Sequence, residues 1–145
     1  MKKILLIGTG GTIASKQTGG GLTPGMEAQE ILEYVPEMAK ICEMDVLQLC
    51  NIDSTNMEPE VWTKLVLAIK ENYDKYEGFV VLHGTDTMAY TSAALSYMVQ
   101  NSRKPIVITG AQQPIDTDGT DAKVNLRDSI IYACDDYSEN VVLVF

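Results

Sequence analysis

One histidine, one tryptophan and two phenylalanines are all that 145 residues hold of those types. A lone histidine, His83, cannot supply the cluster that a zinc-type site needs, and no Cys/His/Asp/Glu spacing for a metal stands in its place. His83 is read as a hydrogen-bonded packing residue rather than a base. Cysteine is scarce and odd in number. Cys42, Cys50 and Cys134 sit in apolar surroundings, which points to free thiols in a reducing compartment. No apolar run approaches the roughly 20 residues of a membrane span. After Met1-Lys2-Lys3 the apolar stretch Ile4 to Ile7 is too short for a secretory signal and reads as a first buried strand. Basic residues are outnumbered 20 to 11, for a net charge of −9, which argues against binding nucleic acid or an anionic membrane. The Gly-Lys-Ser/Thr ending of a P-loop is missing, so a nucleotide triphosphate has no obvious seat.

What the chain has is a repeated rhythm. Hydrophobic residues make up 46%, enough for one domain with a sizeable core. Short β-rich runs lie at Ile4–Ile7, Val46–Leu49, Phe79–Leu82, Ile106–Thr109 and Val141–Phe145. Helical patterns lie between them: about Glu27 to Tyr34, from Pro59 onward, about Thr87 to Gln100, and about Ala122 to Cys134. The second carries Trp62, Leu65, Val66, Ile69 and Tyr73 on one face, and Pro59 suits its first turn. Strands that alternate with helices and are almost wholly apolar imply an α/β fold. The sheet is doubly wound and mostly parallel, with helices on both faces. Gly19-Gly20-Gly21 is the one flexible segment, and a small hairpin or loop there would lie beside the first strand's exit.

In such sheets ligands bind beyond the carboxyl ends of the strands. Strand one is followed by Gly10, Gly11 and Thr12, strand two by Asn51, Asp53, Ser54 and Thr55. Strand three is followed by His83, Gly84, Thr85, Asp86 and Thr87, and strand four by Gly110, Ala111, Gln112 and Gln113. Glycines let backbone approach a ligand and free amide N–H groups for an anion or oxyanion. Hydroxyls with one or two carboxylates suit a small polar substrate carrying an amine, and acyl transfer through a hydroxyl nucleophile. Each signal has a structural reading too. Asp86 or Thr87 would cap the following helix, and Asp53-Ser54 would be turn chemistry. Gly8-x-Gly10 opens a dinucleotide fingerprint, but Ile13 falls where its third glycine or alanine belongs.

The combination is more specific than its parts. Gly10-Gly11-Thr12-Ile13-Ala14 and His83-Gly84-Thr85-Asp86-Thr87-Met88 resemble the two signature motifs of the bacterial-type L-asparaginases. Asp53-Ser54 before the Trp62 helix, and Gly110-Ala111-Gln112 before Asp121 to Asn125, are similar to that family as well. The runs Asn51 to Met57 and Thr85 to Thr91 resemble its cytoplasmic type I branch. The resemblance covers essentially the whole chain.

That resemblance implies a flavodoxin-like N-terminal asparaginase domain over residues 1–145, with the family's smaller C-terminal domain absent from this chain. It implies an amidohydrolase that turns L-asparagine into L-aspartate and ammonia, L-glutamine being a second candidate substrate. Thr12 matches the nucleophile that forms the acyl-enzyme. Thr85 and Asp86 match two members of a threonine–lysine–aspartate arrangement. Asp86 also matches the carboxylate that holds the substrate ammonium, and Ser54 the residue that binds its carboxylate. Gly11, Asp53, Thr55, Gly84 with the backbone near Thr85, and the Ala111 carbonyl complete the substrate-binding set. The resemblance calls for no cofactor and no metal, no nucleic acid or membrane partner, a cytoplasmic location, and a homodimer or homotetramer. Two departures stand out. The loop Ser15 to Pro24 lacks the tyrosine that many members aim at the nucleophile, leaving Leu22 and Thr23 there. The family's catalytic lysine also has no match; Lys123 lies in a matched segment but not at that position. The 145-residue chain alone is therefore expected to be inactive. Two alternatives remain: the glutaminase-like subunit of a tRNA-dependent amidotransferase, and a non-catalytic α/β domain that binds a nucleotide or small ligand.

Overall fold

The computed structural model describes the backbone of residues 1–145 and the side chains of all but Gln17, Thr18, Thr23 and Pro24. Five parallel strands form the main sheet: β1 (Lys2–Gly10), β4 (Cys42–Ile52), β5 (Gly78–Leu82), β6 (Ile106–Thr109) and β7 (Val141–Leu143). A separate antiparallel pair, β2 (Ser15–Thr18) and β3 (Gly21–Pro24), makes a hairpin through the triple glycine. Helices α1 (Ala28–Leu32), α2 (Pro59–Asn72), α3 (Met88–Met98) and α4 (Ala122–Cys134) connect the strands.

The apolar strands divide their side chains between two cores because successive residues point to opposite faces. Ile4 and Leu6 of β1, Val80 and Leu82 of β5 and Val107 of β6 face one core, with Ile31 of α1 and Leu126, Ile130 and Ala133 of α4. Leu5 and Ile7, Phe79 and Val81, and Ile106 and Ile108 face the other, with Leu65 and Ile69 of α2 and Leu95 of α3. The Trp62, Val66 and Tyr73 stripe of α2 packs there as its spacing predicts. All three strands buried on both faces lie inside the sheet, with β4 and β7 at its edges.

The order β4-β1-β5-β6-β7 decides where the site lies. From β1 the chain first adds a strand on one side, then crosses to add β5 on the other. Leaving the hairpin aside, this is the 2-1-3-4-5 order of flavodoxin-like sheets, and its switch point falls between β1 and β5. A crevice opens there beyond the strands' carboxyl ends.

Several boundaries differ from the sequence reading. β4 starts at Cys42 rather than Val46, because it pairs with β1 in register from Lys2↔Cys42 through Gly8↔Gln48. Pairing recruits the polar stretch Cys42–Asp45, where Lys3 meets Asp45 at 2.7 Å and the Tyr76 hydroxyl donates to it at 2.8 Å. α1 is shorter than expected, opening on a capping box between Glu27 and Glu30. Pro36–Lys40 forms a 3₁₀ turn. β7 ends at Leu143, although Val144 N–H still donates to the Ile108 carbonyl at 3.0 Å.

Candidate active site

Three loops meet at the switch point. The first leaves β1 through Gly10 and Gly11, whose φ angles are +108° and +85°. A side chain at Gly11 would be strained by that φ and would collide with the Gly84 backbone. This close approach seats the turn Thr12–Ala14 against the loop after β5. The Ser15 hydroxyl donates to the Gly11 carbonyl at 3.1 Å, and Gly11 N–H donates to the Ile52 carbonyl at 3.1 Å, tying the turn to β4. Among the described residues nothing hydrogen-bonds the half-buried Thr12 hydroxyl.

The second loop follows β4. Asp53 caps the turn Ser54–Asn56: its Oδ1 accepts both the Thr55 N–H and the Thr55 hydroxyl at 2.9 Å. The Thr55 N–H, then its hydroxyl, holds the Asp53 carboxyl below the usual carboxylate range. Both bonds use Oδ1, which leaves Oδ2 available to the cavity. Ser54 is buried and lies against Gly84, where a Cβ would sit 2.6 Å from the Ser54 Oγ.

The third loop follows β5. The Thr87 hydroxyl donates to the Ser54 carbonyl at 2.8 Å, which fastens the second and third loops together. Neither Asp86 nor Thr87 caps α3 through its side chain; Thr87 is the N-cap position but its hydroxyl is spent on Ser54. Asp86 is exposed and free to meet a ligand. His83 is fully buried between Thr91 and the Gly84 carbonyl, each at 2.7 Å. Burial pushes its pKa down. This is the packing role expected of the lone histidine.

The loops enclose a cavity of about 140 Å³, lined by Gly11, Thr12, Ser15, Leu22, Asp53, Ser54, Gly84, Thr85 and Asp86. Seven of these are residues that sequence reasoning singled out for the site. Ser15 was placed only in the loop, and Leu22 enters from the hairpin. Thr55 does not line the cavity; its groups serve Asp53. Ala111 is fully buried in the core and is not among the residues that line the cavity. Its loop is anchored by Asp121, whose carboxylate accepts from Gln112 N–H at 2.8 Å and Gln113 N–H at 3.1 Å. Asn125 Nδ2 holds the Gly110 carbonyl at 3.0 Å. Lys123 stands over the Tyr34 ring at 5.6 Å and takes no part in the cavity. Thr23, the hydroxyl offered in place of the loop tyrosine, lies outside the described side chains.

Two carboxylates and four hydroxyls, with no cationic side chain among the described lining residues, make a site that attracts an ammonium group and repels phosphates. Among the described residues no His/Cys/Asp/Glu group is arranged to hold a metal, and no helix is long and apolar enough to cross a membrane.

Comparison with known proteins agrees with this picture. The Asparaginase, N-terminal family model matches residues 3–145. The L-asparaginase of Thermococcus kodakarensis is 44% identical over 135 residues, which cover 90% of this chain and 40% of that protein. The solved structure of the thermostable L-asparaginase from Thermococcus kodakarensis superposes with a TM-score of 0.87, covering 99% of this chain and 44% of that one at 38% identity. L-asparaginase I from Vibrio cholerae superposes with a TM-score of 0.90 at 36% identity, again over 99% of this chain and 44% of that one. A glutamyl-tRNA(Gln) amidotransferase subunit from Metallosphaera sedula is 41% identical over 134 residues, covering 90% of this chain and 30% of that protein. The chain thus spans less than half the length of these curated relatives. A family match over nearly every residue, with solved L-asparaginases superposing on 99% of the chain, places this chain in the asparaginase family.

Proposed function

We propose that the chain is the nucleophile-bearing α/β domain of a cytoplasmic L-asparaginase. The observation that carries this is the meeting of Thr12, Ser54, Thr85 and Asp86 around one small anionic cavity. Asp86 and the free oxygen of Asp53 hold the substrate α-ammonium, while Ser54 and the surrounding N–H groups receive its α-carboxylate. The Thr12 oxygen attacks the side-chain amide carbon. The carbonyl oxygen takes up negative charge against backbone N–H groups of the Gly11 and Gly84 turns. Collapse expels ammonia and leaves an ester on Thr12. Water then adds to that ester, and aspartate leaves with the threonine hydroxyl restored. Thr85 assists proton transfer. The three free thiols fit a reducing cytoplasm. The family's lysine, its smaller second domain and a homodimeric or homotetrameric assembly complete the active enzyme.

Cavity size bears on the alternatives. A volume of about 140 Å³ in this chain suits an amino acid, and among the described lining residues two carboxylates and no cationic side chain give a dinucleotide's phosphates no partner. Dinucleotide binding therefore has little support. The amidotransferase reading rests on the Metallosphaera relative and shares the same amide chemistry. Equilibrium dialysis of the chain with L-asparagine, L-glutamine and NAD tests the ligand class. Retention of NAD and exclusion of both amides would end the asparaginase reading; a marked preference for glutamine would favour the amidotransferase.

A further inference from the structure

His83 lies outside the cavity, yet it is the last member of a buried chain that ends at the cavity wall. Trp62 Nε1–H on α2 donates to the Thr91 hydroxyl on α3 at 2.9 Å. Thr91 Oγ1 stands 2.7 Å from His83 Nε2, and His83 Nδ1 stands 2.7 Å from the Gly84 carbonyl. Directions follow from donor and acceptor chemistry. A carbonyl only accepts, so Nδ1 carries the hydrogen. Nε2 of the neutral ring then accepts from the Thr91 hydroxyl, which in turn accepts from Trp62. Every polar atom of the chain is satisfied, and the opposite tautomer would set a lone pair against the Gly84 oxygen.

The backbone on either side explains why such a lock is useful. His83 N–H is fixed to the Thr109 carbonyl at 2.8 Å, and a side chain at Gly110 would collide with the His83 carbonyl, so His83 itself cannot shift. The next peptide, Gly84 to Thr85, is different. Glycine accepts either orientation of its following peptide at little steric cost. In a trans peptide the N–H points opposite to the carbonyl. With the Gly84 carbonyl drawn into the α2–α3 layer, the Thr85 N–H points away from that layer. Among the described residues no group accepts from it. Gly84 and Thr85 both line the cavity.

We propose that His83 is a positioning residue: through the Trp62–Thr91–His83 chain it fixes the Gly84–Thr85 peptide so that the Thr85 N–H donates into the cavity to a carboxylate or amide oxygen of the ligand. The identity of the ligand rests on the asparaginase reading; the peptide orientation does not.

The test uses the 145-residue chain labelled with ¹⁵N. Long-range imidazole spectra are expected to show the Nδ1–H tautomer at His83. His83→Asn keeps a donor near the Nδ1 position, and His83→Leu removes it. Thr91→Ser keeps the hydroxyl, and Thr91→Val removes it. Without ligand, the Thr85 amide resonance moves in the Leu and Val variants and stays near its wild-type position in the Asn and Ser variants. On titration with L-aspartate, loss of one hydrogen bond to a charged oxygen weakens binding about tenfold in the Leu and Val variants and less than about threefold in the others. If His83→Leu does not fold, the Thr91→Val and Thr91→Ser pair decides alone. An Nε2–H tautomer, or a folded Thr91→Val chain whose Thr85 amide and L-aspartate affinity both match wild type, overturns the proposal. A wild-type chain that ignores L-aspartate counts against the asparaginase reading, and the ligand-free amide comparison still decides the role of His83.

Discussion

Gly84→Ala is the most direct probe of how the three loops are held together. A Cβ at this position would meet the Ser54 Oγ at 2.6 Å and the Ser54 Cβ at 2.7 Å, whereas ordinary contact begins at 3.4 Å. The gap must therefore widen by roughly 0.8 Å, and Ser54 has little room to yield. It is buried, its carbonyl is bound by the Thr87 hydroxyl at 2.8 Å, and the preceding Asp53 is locked to Thr55. Overpacking of this kind costs about 1–3 kcal/mol. The backbone of Gly84 is not in the left-handed region, so alanine also gains about 0.5 kcal/mol by restricting the unfolded chain. The net loss is about 1.5 kcal/mol. With an unfolding entropy of about 2.1 cal/mol/K per residue, that lowers the midpoint by roughly 5 °C. Ligand binding should weaken about tenfold as well, because the displaced Ser54 hydroxyl loses its hydrogen bond to the ligand carboxylate. Circular-dichroism melting and calorimetric titration with L-asparagine read the two effects. Gly20→Ala, with nothing within 4 Å of its added carbon, is the control and should melt like wild type. If Gly84→Ala melts within about 1 °C of that control and binds asparagine normally, the close packing of Gly84 on Ser54 does not shape the site.

Three further outcomes follow from the site. On the asparaginase reading, Thr12→Val in an enzyme that joins this chain to the family's second domain should leave the fold intact and lower ammonia release by several orders of magnitude; near-normal turnover would falsify the nucleophile assignment. The 145-residue chain alone should bind L-asparagine without measurable turnover, as an ammonia-release assay on the purified chain will show. Burial depresses the His83 pKa below its ordinary 6.5, so the unfolded chain takes up a proton that the folded chain resists. His83 thus withdraws stability as pH falls below about 6.5, and urea titrations should show wild type losing more stability between about pH 7 and 5 than His83→Asn does. The depressed carboxyls of Glu30, Asp45, Asp53 and Asp136 titrate lower still and are common to both proteins.

Central elements were legible in the sequence, and peripheral ones less so. Ile4–Ile7, Phe79–Leu82 and Ile106–Thr109 are apolar at every position but Thr109 because both faces are buried, and the structure places all three inside the sheet. The first half of β4 was not legible. Cys42–Asp45 carries Glu43 and Asp45 on an edge strand, and only its partner β1 makes it extended. α1 and the Pro36–Lys40 turn are short, and their limits depend on tertiary anchors such as the Gln48 side chain, which accepts from Ala28 N–H at 2.8 Å. At the site, Thr12, Ser54, Thr85 and Asp86 were found because each follows a strand. Ser15 and Leu22 were missed as lining residues because their place depends on how the β2–β3 hairpin folds back, which no local pattern records.

The role of His83 shows where strand-end reasoning stops. Counting outward from β5 shows that His83 belongs to the face of Phe79 and Val81, hence to the α2–α3 layer and not to the cavity. That reasoning separates a buried histidine from a catalytic one. It cannot reveal that Trp62, twenty-one residues earlier, and Thr91, eight residues later, converge on the same imidazole, because their meeting depends on how α2 and α3 pack. In the folded chain the packing layer and the cavity share a single peptide, Gly84 to Thr85. Its carbonyl belongs to one and its N–H to the other. Residues that never touch a ligand can therefore control a group that does, and substitutions in the α2–α3 layer should be judged by their effect on binding as well as on stability.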